Sequence, residues 1–384
     1  MDFNFKEEQL QFADAVKRWV AKDYSFEQRK RIIATPAGVS DAAWTALAEL
    51  GMTALPIPEQ QGGFGGSAVD LFVVMQELGR GLVVEPYFAT MLGAEFLKLA
   101  GGHDTLLEQV ASGQLKLACA LGERQSRHDL ADIATSAVPD VDGYLINGRK
   151  SVVLHGFQAG SLIVSTRSSG ALRDQAGITL FVLPADTPGV TITDYRTLDG
   201  LRAADVDFDQ VRVPAAALLG APGAGWETLE AATDYGAGLL CFEALGAMET
   251  LFAATLDYLK TRTQFGAPIG KFQALQHRMA DMFIHLEQAR SMALLAAVEL
   301  GSSGSGNPAR RRRAVAAAKF RIGQAIKFIG QQAVQLHGGM GVTNELPAAH
   351  YFKRLTMIEL TLGDSDHHLR RFMAQPEFAG DADL

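Results

Sequence analysis

A block of short β-type segments lies between two long regions of helical periodicity, and this order limits the possible folds most strongly. Residues 5 to 115 carry apolar side chains three or four positions apart, as in EEQLQFADAVKRWVAKDY and AVDLFVVMQELGRGL. From about Leu115 to Gly220 the pattern changes to short runs rich in valine, isoleucine, threonine and phenylalanine. The helical period then returns in ALGAMETLFAATLDYLKTR and continues towards the C-terminus. The sequence therefore predicts helices, then strands, then helices again.

The length of the chain and this order of patterns predict an α+β multidomain protein. A chain of 384 residues is too long for one compact helical core. We predict an N-terminal α-helical domain at 1–115, a middle antiparallel β-barrel or sandwich domain at 116–220, and a C-terminal four-helix bundle domain at 221–384.

Two local patterns give sharper predictions within these regions. Asn147-Gly148 lies between two apolar runs in GYLINGRKSVVL, which is the signature of a type I′ hairpin turn. In the last region, one apolar stripe on a predicted helix is formed by Phe272, Leu275, Met279, Phe283 and Leu286.

Charge, cysteine content and hydropathy argue against several classes of partner. The net charge of −8 disfavours the broad basic surface that nucleic-acid binding requires. Cys119 and Cys241 match no metal-ligand spacing, and the adjacent His367 and His368 lack the i, i+4 spacing of helical metal pairs, so we expect no metal. The sequence shows no apolar run of membrane-spanning length and no signal-peptide pattern. We expect a cytoplasmic protein with no membrane partner.

Two segments of the C-terminal region combine groups that suit a diphosphate. YLKTRTQFGAPIGKFQALQ contains Arg262, Gln264 and Phe265, and QLHGGMG contains Gln335 followed by three glycines. A guanidinium, carboxamides and a bare glycine backbone supply fork-shaped donors, directed hydrogen bonds and room for close approach. A purely structural interpretation is also open, in which Phe265 packs inward and Arg262 is solvated.

These segments resemble the two C-terminal signatures of the acyl-CoA dehydrogenases, and LPIPEQQGGFGG resembles the N-terminal loop of that family. The resemblance covers essentially the whole chain and includes the domain order. It implies an FAD-dependent oxidoreductase acting on the CH-CH bond of an acyl-CoA thioester, with an acceptor similar to electron-transfer flavoprotein. It also implies contacts to the FAD of a neighbouring subunit from Arg262, Gln264, Phe265, Gln273, Gln335, Gly338 and Gly339.

The middle region departs from the family pattern at both flavin-facing segments. GERQSRHD keeps Glu123 and Asp129 of the family's Thr-Glu-Pro loop but loses the proline, the small residues and the serine. Where the resemblance implies a Trp-Ile-Thr strand beside the flavin ring, counting from Lys150 gives residues 152–154, Val-Val-Leu. Subfamily drift, with another residue filling the place, is the alternative explanation.

The catalytic base of the family is missing from its expected places. Abstraction of a proton next to a thioester requires a positioned, desolvated carboxylate. The two positions implied by the resemblance correspond to Gly363 and Gly236, which carry no base. Asp364 is a weak substitute whose alternative interpretation is an exposed loop aspartate. Glu243 is a second weak substitute, and a buried structural hydrogen bond is its alternative role.

The chain retains the residues that would contact a neighbouring subunit's FAD, but its own flavin-facing segments are altered and the base is missing. This combination suggests an accessory chain. ERQSRHDLAD and HYFKRLTMIELTLGDSDHHL are most similar to the small subunit of pimeloyl-CoA dehydrogenase-type heteromeric enzymes of fatty acid or dicarboxylic acid degradation. We therefore expect a heterotetramer in which a large acyl-CoA dehydrogenase subunit supplies the base. The open alternatives are a complete homo-oligomeric dehydrogenase with a non-standard base, a purely structural partner without turnover, and a flavin-dependent monooxygenase.

Overall fold

The computed structural model describes residues 5–301 and 307–375. The region before the strands is helical, as predicted, and contains α1 (Glu7–Asp23), α2 (Phe26–Ala34), α3 (Asp41–Glu49), α4 (Ala68–Gly81), α5 (Tyr87–Ala100) and α6 (Asp104–Ala111). Two of these helices begin at serine caps: the Ser40 side chain accepts from the backbone N–H of Ala43, and Ser67 forms a capping box with Asp70.

The middle region folds into one mixed sheet of eight strands. The strands are β1 (Leu117–Ala120), β2 (Ser136–Asp140), β3 (Gly143–Leu154), β4 (Ser161–Arg167), β5 (Ile178–Pro184), β6 (Val190–Arg196), β7 (Arg202–Pro214) and β8 (Leu218–Leu219). They lie in the order β6-β7-β3-β2-β4-β5-β8, with β1 beside β4. Most pairings are antiparallel, whereas β1 and β2 run parallel to β4. The apolar core of this sheet includes Ile146, Leu162, Phe181 and Val206.

The predicted type I′ turn at Asn147-Gly148 is wrong, because both residues lie inside β3. The turn between β2 and β3 is formed instead by Val141 and Asp142. At Asn147 the register between β3 and β7 shifts, and the Asn147 Oδ1 accepts from the backbone N–H of Gln210 at 2.8 Å. A Cβ on Gly148 would lie 2.6 Å from Thr135 atoms. The Asn-Gly pair therefore serves a β-bulge and a close backbone approach.

The region after the strands is again helical. It contains α7 (Trp226–Thr261), a short hairpin of β9 (Thr263–Gln264) and β10 (Ala267–Pro268), then α8 (Gln273–Gly301), α9 (Pro308–His337), α10 (Pro347–Leu360) and α11 (Ser365–Met373). The start of α9 follows from its sequence: the Asn307 side chain caps the helix at Ala309 N and Pro308 occupies the first turn.

The chain forms two compact units, each built from more than one stretch. The helical unit comprises the described residues of Met1–Lys30, Ser67–Val83 and Ala237–Leu384. The strand unit comprises Arg31–Gly66 and Val84–Gly236. The three domains with boundaries after residues 115 and 220 stay a prediction.

Helix α7 is long and apolar enough to span a membrane by length and composition alone, contrary to our expectation that no segment would be. However, 67% of its most apolar window is buried inside the protein. This burial is typical of a core helix, since such helices pass the same test of length and hydropathy.

A single buried arginine fixes two loops of the strand unit. Arg167, at the end of β4, donates from its guanidinium to six backbone carbonyl oxygens, those of Ala131, Ile133, Ser169, Leu172, Asp174 and Ala176. The arginine therefore helps to satisfy the backbone acceptors of both loops, together with the Ile133 N–H, which donates to the Leu172 oxygen at 3.0 Å.

Candidate functional site

The hairpin that follows α7 presents Phe265 at its tip. Phe265 and Gly266 both have positive φ, 52° and 76°, as a type I′ turn requires. The Arg262 backbone fixes the base of the hairpin, because its N–H donates to Tyr258 and its carbonyl accepts from Ile269, both at 2.8 Å. The Phe265 side chain is 92% exposed. The interpretation in which it packs inward is therefore wrong.

The end of α9 forms an open glycine segment, defined here as residues 338–346. Gly338 has φ 61° and ψ −141°, a conformation that only glycine adopts readily. Among the described residues, a Cβ added at Gly338 or Gly339 would meet nothing within 4 Å. By contrast, a Cβ on Gly341 would lie 2.5 Å from the Val334 carbonyl oxygen. Gly339 therefore has space beside it that the described part of the chain leaves open.

Packing between helices brings the hairpin and the glycine segment to the same end of the helical unit. The rings of Tyr258 and His337 stack with centroids 4.6 Å apart, one turn before Arg262 and next to Gly338. Arg278 of α8 donates to the Gln332 side chain of α9 at 2.7 Å. All seven predicted cofactor residues are exposed there: Arg262, Gln264, Phe265, Gln273, Gln335, Gly338 and Gly339.

The first base candidate, Glu243, is committed to an ion pair within the helical unit. Its two carboxylate oxygens accept from Nε and Nη2 of Arg354 at 2.6 and 2.7 Å. Both side chains are buried, and a bidentate pair of this kind occupies both oxygens of the carboxylate. This geometry favours the structural role over proton abstraction.

The second base candidate, Asp364, caps a helix. Its Oδ1 accepts from the backbone N–H of His367 at 2.8 Å at the start of α11. The residue is buried, so the interpretation as an exposed loop aspartate is wrong.

The two glycines at the expected base positions differ in their surroundings. Gly236 is buried inside α7, in the strand unit. Gly363 has φ 104°, and a Cβ there would lie 2.6 Å from His367 and 2.7 Å from His368. A glutamate at residue 363 would therefore have to displace these two imidazoles.

A buried lysine, which the sequence analysis missed, holds the loop around Gly363. The Lys319 ammonium donates to the carbonyl oxygens of Ile358, Glu359 and Gly363 at 2.7, 3.1 and 3.1 Å. Burial lowers the pKa of Lys319 to about 8. The available signal was its position on the apolar face of α9, one turn from Val315 and from Ile322.

In the strand unit, the retained Glu123 is part of a buried ion pair. Glu123 accepts from the Lys150 ammonium at 2.8 Å and from the backbone N–H groups of Ala134 and Thr135 at 2.9 and 3.0 Å. Burial opposes the charge of Glu123, but Lys150 and the hydrogen bonds outweigh it and lower the pKa of Glu123 to about 2. Burial lowers the pKa of Lys150 to about 8. Both groups are therefore ionised at pH 7.

The strand expected beside the flavin ring carries an irregular backbone. The register of β3 shifts between Lys150 and Val153, and Val152 adopts φ 56°, an outlier for a β-branched residue. The Val152 side chain is 56% exposed, whereas Val153 is buried. Asp129, the other residue retained from the family pattern, shapes the turn that follows it: its Oδ1 accepts from the backbone N–H of Ala131 at 3.0 Å.

Comparisons with known proteins decide the family. Three family models match in sequence: the acyl-CoA dehydrogenase N-terminal domain at residues 6–113, its middle domain at 118–211 and its C-terminal domain at 223–375. A probable acyl-CoA dehydrogenase of Bacillus subtilis, YngJ, is 30% identical over 376 residues, which cover 95% of this chain and 97% of that protein. The chain belongs to the acyl-CoA dehydrogenase family.

Solved structures of this acyl-CoA dehydrogenase family share the fold. Butyryl-CoA dehydrogenase from Megasphaera elsdenii matches with a TM-score of 0.87 and 26% identity over 97% of this chain and 98% of that chain. A chain of the ChsE4-ChsE5 complex from Mycobacterium tuberculosis matches with a TM-score of 0.86 and 25% identity, covering 97% of each chain. The predicted order of helical, strand and helical regions is confirmed.

The comparisons also confirm the chemical class. The protein is an FAD-dependent acyl-CoA oxidoreductase, and FAD is its cofactor. The open backbone at Gly338 and Gly339 fits that dinucleotide, because a close-approaching diphosphate needs the room that the chain leaves there. The Arg262 guanidinium and the carboxamides of Gln264 and Gln335 are donors of the right kind for its phosphate oxygens. FAD supplies the oxidising group, and these residues would hold it.

Proposed function

We propose that this chain is the small, accessory subunit of a heteromeric acyl-CoA dehydrogenase and completes the FAD site of a larger partner subunit. The observation that carries the proposal is a contrast: the seven candidate FAD residues are exposed, while both expected base positions are glycines. The larger subunit would supply the base and most of the flavin pocket. Electrons would leave for an acceptor similar to electron-transfer flavoprotein.

The surface beside the FAD residues supports a protein partner. Large apolar side chains are exposed around the hairpin and the glycine segment, namely Phe265, Phe272, Met340 and Val342. Exposed apolar groups of this size, next to polar binding residues, are typical of subunit interfaces. A partner with the same fold would meet them while its FAD reaches Arg262.

The state of the carboxylates supports dependence on a partner for catalysis. Glu243 is paired with Arg354, Asp364 caps α11, and the space beside Gly363 is filled by imidazoles. A base must be free to reach the substrate carbon. One solved relative is a complex of two different chains, which shows that the fold occurs in heteromers.

The experiment that tests the proposal is reconstitution. The chain is purified alone and together with a larger acyl-CoA dehydrogenase chain, and absorption spectra give the FAD bound per chain. We expect stoichiometric FAD and acyl-CoA turnover only in the mixture. Stoichiometric FAD in the isolated chain, bleached by an acyl-CoA, would refute the proposal and favour a homo-oligomeric enzyme. An assembly without turnover would favour a purely structural partner.

A glycine-to-alanine pair tests the proposed FAD contact at the glycine segment. Gly339→Ala should leave the unfolding temperature unchanged, because the added Cβ meets nothing within 4 Å. It should weaken FAD binding roughly 5- to 150-fold, since an added methyl group at a packed contact costs about 1–3 kcal/mol. Gly341→Ala should lower the unfolding temperature instead, because its Cβ would meet the Val334 carbonyl. Unchanged FAD affinity in Gly339→Ala would remove this contact from the proposal.

Substitution of Asp364 tests whether this chain supplies the base. Asp364→Asn keeps an acceptor for the His367 N–H and should leave turnover of the assembled protein within about threefold, because asparagine caps helices as well as aspartate does. The measurement is steady-state oxidation of an acyl-CoA with an artificial electron acceptor. A loss of several orders of magnitude, with normal FAD content, would identify this chain as the catalyst.

A further inference from the structure

Arg29, His350 and the backbone carbonyl of Asn344 form a hydrogen-bonded chain in the helical unit, called the relay below. The Arg29 Nη1 of α2 lies 3.1 Å from Nδ1 of His350 in α10. The Nε2 of the same imidazole lies 3.1 Å from the carbonyl oxygen of Asn344. Arg29 is 1% exposed and His350 is 7% exposed, so water does not substitute for these contacts.

The two partners of His350 determine its protonation state. A guanidinium can only donate, so Nδ1 must carry a lone pair and no proton. A carbonyl oxygen can only accept, so Nε2 must carry the proton and donate to Asn344. The relay therefore requires the neutral Nε2–H tautomer. An imidazolium would place the Nδ1–H against an N–H of Arg29, with two cations in contact.

Asn344 connects this relay to the glycine segment. It lies between the short 3-10 helix at Gly338–Val342 and the start of α10. Its backbone oxygen accepts from His350, and its side-chain oxygen accepts from the Lys353 ammonium at 2.9 Å. The other end of the segment is anchored at His337, which bonds to the Ala333 carbonyl at 2.8 Å and stacks on Tyr258.

We infer that His350 is a positioning residue for the glycine segment, and that its neutral form holds the segment in the geometry that grips FAD. The inference rests on the proposed role of Gly338 and Gly339 in FAD binding. Protonation of His350 at Nδ1 places two cations in contact. As the ring moves away from Arg29 it no longer holds the Asn344 carbonyl in place, so the segment loosens and FAD is retained less well in acid.

The electrostatic surroundings give the direction of the pH dependence. Burial lowers the pKa of His350 below its ordinary value of 6.5. The carbonyl of Asn344 opposes this effect, while the cations of Arg29, Lys353 and Lys30 add to it. His350 binds a proton more tightly when the glycine segment is loosened than when it is ordered. The ordered segment is therefore favoured above pH 6.5 and is lost as the pH falls below that value. One proton limits the effect to about tenfold per pH unit.

Two side-chain replacements separate the halves of the relay. The glutamine side chain in His350→Gln can still donate an amide N–H to Asn344 but has no proton to gain. The shorter asparagine side chain in His350→Asn can still accept from Arg29 but cannot reach Asn344. Dissociation of FAD from the assembled protein is measured between pH 7.5 and 5.5, together with hydrogen exchange of the amides at 338–346 and thermal unfolding.

The expected pattern is specific to positioning. In the wild type, FAD dissociation and segment exchange both increase about tenfold towards pH 5.5. His350→Gln removes this dependence, while His350→Asn shows the acid behaviour already at pH 7.5. Equal pH slopes in the wild type and His350→Gln would overturn the inference, as would pH-independent segment exchange in the wild type. Arg262→Ala is the reference: if it retains FAD normally, the proposed function fails, while segment exchange still decides the role of His350.

Discussion

Replacing Arg262 by alanine is expected to weaken FAD binding by the assembled protein roughly 10- to 150-fold. Hydrogen bonds to charged groups contribute about 1.5–3 kcal/mol each, and 1.4 kcal/mol corresponds to tenfold. The fold should not change, because the backbone of Arg262, and not its side chain, holds the hairpin through Tyr258 and Ile269. The measurement is equilibrium binding of FAD to the apo assembly, with thermal unfolding as the test of folding.

Two control variants sharpen this result. Arg262→Lys keeps the charge but loses the planar fork, so it should recover only part of the affinity. Lys260→Ala removes an exposed cation from the last turn of α7 and should leave the affinity unchanged. Equal affinities in the wild type and Arg262→Ala would refute the diphosphate role and, with it, the proposed contact to a neighbouring subunit's FAD.

The variant Lys150→Met is expected to lower the free energy of unfolding of the strand unit by about 3–5 kcal/mol. The substitution leaves Glu123 buried and charged without its cation, although the N–H groups of Ala134 and Thr135 remain. Breaking one side of a buried ion pair costs more than replacing the whole pair. Denaturant unfolding, followed by a probe in the strand unit, measures the loss.

The double variant and the pH dependence provide the check. Glu123→Gln combined with Lys150→Met should recover most of the loss, because no uncompensated charge remains. The pKa of Glu123 lies near 2 when it is paired, below its ordinary 4.5. A lowered carboxyl pKa gives stability above pH 4.5 that disappears as the pH falls towards 2, so the wild type and Lys150→Met should converge over that interval. A constant difference would show that the lost packing of Lys150, not its charge, sets the effect.

The sequence predicted the exposure of the candidate FAD residues better than it predicted local strand geometry. Arg262 comes from one segment and Gln335 and Gly339 from another, yet all three are exposed at one end of the helical unit. Their roles stay a prediction. The Asn-Gly signature failed because an asparagine followed by glycine suits a β-bulge as well as a turn. The real I′ turn at Phe265-Gly266 has a bulky first residue, which such a signature does not detect.

Helical periodicity revealed an apolar stripe on α8 but not what covers it. Met279 and Leu286 are buried, as predicted, whereas Phe283 is 51% exposed and Phe272, just before the helix, is also exposed. A hydrophobic period shows only that a face avoids water, and the partner that shields it is not encoded in the same helix. The ion pair between Glu243 and Arg354 could not be predicted from the sequence either, because 111 positions separate the two residues.

The contacts of Arg167, at the end of β4, limit how this protein can change over evolution. The guanidinium recognises main-chain oxygens in residues 131–133 and 169–176, not the side chains of those loops. Mutations of the exposed side chains at 169–176 can therefore accumulate as long as the path of the main chain is kept, whereas Ala131, Asp132 and Ile133 are buried and less free to change. The arginine itself has no such freedom, since a lysine offers three protons from one point and cannot reach the same spread of acceptors. Variable loops of constant shape, tied to one invariant cation, are the pattern we expect among relatives of this chain.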